Sequence, residues 1–149
     1  MHPSISLQPF FFEVMIVNTG RNKEIAVGLS TRSSKLELFP GWQPYTFGYH
    51  GDDGNVYYEN PDDPVMPETE KPFKSGDVIG VTLDQSGSLA FFKNAKHIKT
   101  VQLTREHMAQ ELYATVGISS PGGIVRAVHM SGAAGEEVVV SQTNPLTIE

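Results

Sequence analysis

Apolar residues alternate with others from the start of the aromatic run at Phe10: Phe10, Phe12, Val14 and Ile16 fall on one side of Phe10–Val17, the period of a strand with one buried face. Asn18-Thr19-Gly20-Arg21-Asn22 carries turn chemistry, and Glu24–Ser30 follows as a second strand, expected to lie beside the first. After the polar stretch Thr31–Gln43, which includes Pro40-Gly41-Trp42, two aromatic runs flank Gly51-Asp52-Asp53-Gly54, a hairpin signal. Prolines at 61, 64, 67 and 72 cannot donate to a sheet, so Asn60–Lys74 reads as a surface loop. Asp77–Asp84, Leu89–Phe92 and His97–Gln102, joined by turns at Gln85-Ser86-Gly87 and Asn94-Ala95, read as a three-stranded meander.

Only Thr104–Glu111 has helical composition, with Thr104 as N-cap, and it is too short to organise a fold. Leu112–Ile118 and Gly123–Met130 return to strand, and Glu136–Ser141 gives one more. About eight or nine short strands with at most one short helix predict an all-β fold, a sandwich of two antiparallel sheets.

Length and charge narrow the functional classes. The 149 residues suit one domain, 1–149. A formal net charge of −6 disfavours a general grip on nucleic acid or anionic lipid. The absence of cysteine removes thiolate metal sites, disulfides and cysteine nucleophiles. No apolar run reaches the roughly 20 residues a membrane helix needs, so no direct membrane insertion and a cytoplasmic or nuclear location are expected.

Five segments stand together in order: Pro40-Gly41-Trp42, Phe47-Gly48-Tyr49-His50-Gly51-Asp52-Asp53-Gly54-Asn55, Ser75-Gly76-Asp77-Val78-Ile79-Gly80, Phe91-Phe92-Lys93-Asn94 and Leu112-Tyr113-Ala114-Thr115-Val116-Gly117. With them the chain resembles the SPRY (B30.2-like) domains, and especially the subgroup found in Ran-binding-protein-like scaffolds. The resemblance covers about residues 10–130, leaving 131–149 as a C-terminal extension, and implies that the family's N-terminal strands are absent. It implies a bent, concanavalin-like sandwich acting as a non-catalytic protein-binding module, often the substrate-recognition part of a scaffold or ubiquitin-ligase complex. Ala95 departs from the family, standing where its turn has Gly, and Ala tolerates positive φ poorly.

By motif position, the resemblance places a peptide-binding surface on end loops at Arg21, Tyr57 and Ser119-Ser120-Pro121, and Tyr49 and Asn55 complete the candidate partner-binding set. Arg offers a fork of donors to carboxylates and amides, and Tyr a flat apolar face with a polar tip. The plainer alternatives are a solvated Arg21 and a Tyr57 packed beneath its neighbours. Ser120 stands where some family members have an aromatic, so their peptide preference is not expected to transfer. Trp42 reads as a core plug.

The Asp52-Asp53 loop lacks the spacing of an EF-hand and reads as turn chemistry, so neither metal nor cofactor is expected. Seven acids between Asp52 and Glu70, with no Lys or Arg among them, read as a solvated loop, and Lys93, Lys96, Lys99 and Arg105 with His97 as an exposed basic strand face. Hydrolase, zinc-protease and nucleotide-loop motifs are missing, and His50, close to Asp52 and Asp53, is the His considered for a dyad, with no Ser that the sequence places beside it, so an enzyme is not expected. Two other readings stay open: a carbohydrate-binding lectin, with or without calcium, and a structural domain making intramolecular or oligomeric contacts. The oligomeric state is undetermined by sequence.

Overall fold

A computed structural model describes residues 10–31, 39–65, 67, 72–119, 121–131, 138–142 and 147–148. The elements are β1 (Phe10–Asn18), β2 (Ile25–Thr31), β3 (Phe47–His50), β4 (Val56–Tyr58), β5 (Val78–Leu83), β6 (Ser88–Lys93), β7 (Lys96–Gln102), α1 (Arg105–Met108), β8 (Leu112–Ile118), β9 (Ile124–Ser131), β10 (Val138–Gln142) and β11 (Thr147–Ile148). They form two sheets, a six-stranded one in the order β11-β9-β1-β5-β6-β7 and a five-stranded one in the order β10-β8-β2-β3-β4. Pairing is antiparallel throughout except at one rim of each sheet, where β10 runs parallel to β8 and β11 parallel to β9.

Inward side chains from both sheets make one core. Phe10, Phe12, Val14 and Ile16 of β1 are buried while the residues between them are half-buried, as the alternation predicts. Against them pack Val27 and Leu29 of β2, Phe47 and Tyr49 of β3, Ile79, Val81 and Leu83 of β5, Phe91 of β6, and Val116 and Ile118 of β8. Truncating one such ring to Ala costs about 3–5 kcal/mol.

The meander is present as β5-β6-β7. The aromatic hairpin is β3-β4, and among the described residues of the proline-rich loop Val65 bridges to Val56 while Phe73 departs from a surface loop, buried in the core with its N–H donating to Gly51 O at 2.8 Å. Asn94 and Ala95 both take positive φ, 53° and 65°, so the two-residue β6-β7 turn keeps the primed geometry even with Ala at its second position. Thr104 caps α1, accepting at Oγ1 from the His107 N–H.

One pairing differs from expectation. β1 and β2 lie in opposite sheets: β1 pairs with β5 and β9, and β2 with β3 and β8. Alternation tells which side chains share a face, but two strands joined by a turn present that face to one core equally well from opposite sides. Unlike β1, β2 is buried on both faces, and its outward positions Ala26, Gly28 and Ser30 are all small.

Candidate functional site

The antiparallel run of β8, β2 and β3 brings the start of β2 and the ends of the other two strands to the same rim of the five-stranded sheet. The turns that leave there are residues 19–24, 51–55 and 119–123. Main-chain bonds clasp them: Arg21 N–H donates to Pro121 O at 3.0 Å, Ser119 N–H to Glu24 O at 2.9 Å, and Gly51 N–H to Ile25 O at 2.7 Å. Arg21, Ser119 and Pro121 are thereby brought together. Arg21 is exposed, and no carboxylate among the described residues pairs with its guanidinium. Ser120 lies outside the described residues.

Asp53 organises the neighbouring turn. Its Oδ1 accepts from Asn55 N–H at 2.9 Å and its Oδ2 from the Tyr57 hydroxyl at 2.5 Å. Burial, and then that carboxylate, push the Tyr57 hydroxyl up to about 12, so it stays a donor. The Tyr57 ring is only 8% exposed, packed at 4.3 Å between centroids on His50 and edge-on to Trp42 at 5.8 Å. Asn55 is half-buried beside it, its Oδ1 enclosed without a partner.

Tyr49 is a correction. It is fully buried between the sheets, its ring against Phe73 at 4.8 Å and Phe91 at 6.1 Å, and so belongs to the core and not to a partner-facing surface. It shares strand parity with Phe47, whereas Tyr57 lies on the opposite face, in register with Gly48.

Trp42 is a second correction. It plugs the outer side of the five-stranded sheet, not the main core, stacking on Phe39 at 5.3 Å and lying 5.1 Å from His50. The chain from Phe39 to Trp42 crosses that outer face because strand glycines let it: a Cβ on Gly48 would fall 2.2 Å from Pro40 O, and one on Gly117 3.0 Å from the Phe39 ring. His50, beneath this roof, donates from Nε2 to Pro40 O at 2.9 Å, and burial lowers its pKa from 6.5 to about 4. Adjacent to Asp52 and Asp53 in sequence, it is fully buried and engaged with a carbonyl instead. Asp53, Trp42 and His50 were absent from the residues predicted for the site. The signal that pointed to this arrangement was glycine at alternating outward strand positions.

The histidine that does meet a carboxylate is His107, at the opposite rim. Its Nε2 donates to Glu59 Oε1 at 2.7 Å and its Nδ1 accepts from Thr104 N–H at 3.0 Å, which fixes the tautomer. Glu59 Oε2 accepts from Tyr45 N–H at 2.7 Å, the Tyr45 hydroxyl donates to Glu106, and the Tyr58 hydroxyl donates to Gln102 O at 3.1 Å. Among the described residues no cluster of His, Asp and Glu is placed to hold a metal, and no helix is long and apolar enough to cross a membrane.

Comparison with known proteins adds to this geometry. A family model described as the SPRY domain matches residues 10–130. Ran-binding protein 9 of Xenopus tropicalis is 35% identical over 118 residues, covering 79% of this chain and 21% of that protein. The Ran-binding proteins 9/10 homolog of Drosophila melanogaster is 32% identical over 118 residues, covering 79% and 12%. The chain thus spans about a fifth or less of the length of these relatives. A crystal structure of a human SPRY domain superposes with a TM-score of 0.66 at 28% identity, covering 83% of this chain and 77% of that one. The SPRY domain of human HERC1 shares the fold at a TM-score of 0.54 and 24% identity, covering 70% and 63%.

Proposed function

Because the chain belongs to the SPRY domain family, a family of protein-interaction modules, we propose that it binds a short extended segment of a protein partner, without catalysis, on the rim formed by residues 19–24, 51–55 and 119–123. The observation that carries this is the main-chain clasp of Arg21 to Pro121. It holds the turns through the Arg21 main chain and leaves the guanidinium outside the clasp, so Arg21 remains available to a carboxylate or amide of the partner. Tyr57, held by Asp53, supplies the edge of an apolar wall, and Asn55, Ser119, Ser120 and Pro121 supply polar and main-chain contacts.

Kinship with the much longer Ran-binding proteins supports a recognition role within a larger scaffold. The finer reading is substrate selection for a multi-subunit assembly such as a ubiquitin-ligase complex, in cytoplasm or nucleus.

The test is capture of partners from lysate by the wild-type domain beside Arg21→Ala and Tyr57→Phe. Arg21→Ala is expected to stay within about 0.5 kcal/mol of wild-type stability and to bind about tenfold or more weakly. Tyr57→Ala is unsuitable, since emptying a buried ring position costs about 3–5 kcal/mol in stability by itself. An Arg21→Ala domain that keeps every partner at wild-type strength removes this rim as the site.

A further inference from the structure

β4, the rim strand of the five-stranded sheet, is closed by the chain itself: Val56 N–H donates to Val65 O at 3.1 Å and Val65 N–H to Val56 O at 2.7 Å. β7, the rim strand of the six-stranded sheet, has no such cover among the described residues. Its ladder runs to β6 on one side only. On the other side the Gln102 carbonyl accepts from the Tyr58 hydroxyl, which shows that Gln102 directs its main-chain groups away from β6. In an antiparallel ladder the N–H and C=O of a residue point the same way and alternate residues repeat it, so Thr100 presents both groups outward as well. Lys99–Gln102 keeps regular register with Phe91–Ser88, and beyond the Gln102 carbonyl held by Tyr58 the edge is open at Thr100 among the described residues.

The charged residues of β7 itself, Lys96 and Lys99, have one sign. Lys96 and Lys99 lie on β7 and Arg105 begins α1, and none of the three meets a carboxylate among the described residues. Lysines on a rim strand also deter two copies of that strand from pairing with each other. A polyanion such as nucleic acid is disfavoured by the net charge of −6 and by the seven acids between Asp52 and Glu70.

We propose that the β7 edge is a second docking site, where an acidic, extended segment of a protein partner adds as a strand: Thr100 bonds its main chain while Lys96 and Lys99 take its carboxylates. This site lies on a different sheet from the Arg21 rim and does not depend on it.

The test uses an acetylated, amidated peptide of alternating glutamate and threonine at millimolar concentration, with amide hydrogen exchange and amide chemical shifts as readouts. The expected result is slowed exchange at the Thr100 amide and shifts confined to β7. Binding should weaken by about tenfold in Lys96→Glu/Lys99→Glu and with added salt, and stay unchanged in Arg21→Ala. It should be lost when alternate peptide amides are N-methylated and when lysine replaces glutamate in the peptide. Four outcomes overturn the proposal: no protection at Thr100, equal binding of the lysine peptide, binding indifferent to N-methylation, or protection mapped to residues 19–24 and 119–123. Concentration-dependent self-association abolished by Lys96→Glu/Lys99→Glu also overturns it, by making the occupant a second copy.

Discussion

At the rim of the five-stranded sheet that carries Arg21, the turns are joined by main-chain bonds, Arg21 to Pro121, Ser119 to Glu24 and Gly51 to Ile25. At the opposite rim α1 is joined to the sheet by side chains: Glu59 holds both His107 and the Tyr45 main chain, and Tyr45 holds Glu106. The main-chain clasp leaves the Arg21 guanidinium outside the joint, whereas the side-chain clasp uses Glu59, His107 and Tyr45 internally. The second rim contains the more enzyme-like chemistry, a histidine on a carboxylate, yet both of its ring nitrogens already have partners within the fold. Substitutions at the two rims should therefore separate binding from stability.

The largest expected effect is a pH dependence centred on His50, which lies under the Arg21-side turns. Its pKa falls from 6.5 to about 4 because burial disfavours the charged ring. The unfolded chain then takes up this proton at higher pH than the folded one. The associated stability is fully present above about pH 6.5 and is lost as the pH falls through about 4, a total of about 3 kcal/mol. His50→Gln keeps a donor for Pro40 O and removes the titration, so the difference in melting temperature between wild type and variant should change over that window. Parallel curves would show that His50 is not buried and neutral in the folded protein.

Next in size is His107→Ala. It leaves the Thr104 N–H without its ring acceptor and Glu59 Oε1 without its donor. Because the Glu59 side chain is 25% exposed, water recovers part of that loss, and about 2 kcal/mol is expected by urea denaturation. Partner capture by the folded variant should be unchanged. Loss of partners at full stability would place binding at the His107 rim and reverse the comparison. A smaller effect belongs to Tyr57→Phe, which strands a half-buried Asp53 oxygen and should cost about 1 kcal/mol in the same measurement.

The parts of this arrangement that sequence made legible are the local ones. Alternation identified the buried side of β1, turn residues identified the meander, and Thr104 identified the start of α1. The separation of Tyr49 from Tyr57 was also available in principle, since Tyr49 shares its parity with Phe47 while Tyr57 stands between the inward Val56 and Tyr58. What one sequence does not carry is pairing across the sandwich. β1 and β2 carry the same inward signal whether they sit in one sheet or two, and Glu59 and His107 are 48 residues apart. His50 and Asp53 show the converse, near in sequence yet engaged with different partners, Pro40 and Tyr57.

The smallest effect separates the ways these turns reach positive φ. The Arg21 side uses mostly glycine, Gly20, Gly54 and Gly122, with Lys23 the exception, whereas the His107 side uses Tyr45 at 61° and Glu59 at 62°. A non-glycine residue pays for that conformation, and Tyr45 and Glu59 recover the cost through bonds to Glu106, His107 and each other. Ala95, at 65° in the β6-β7 turn, has no side-chain bond with which to recover it. Ala95→Gly should therefore stabilise the domain by about 0.5–1 kcal/mol, even though glycine adds freedom to the unfolded chain. Tyr45→Gly relieves the same backbone conformation but removes the bond to Glu106 and the ring packed edge-on to His107, so it should destabilise. Opposite signs for the two glycine substitutions in urea denaturation support side-chain compensation as the device that holds the His107 rim. Equal gains would mean that the Tyr45 side chain contributes nothing to that rim.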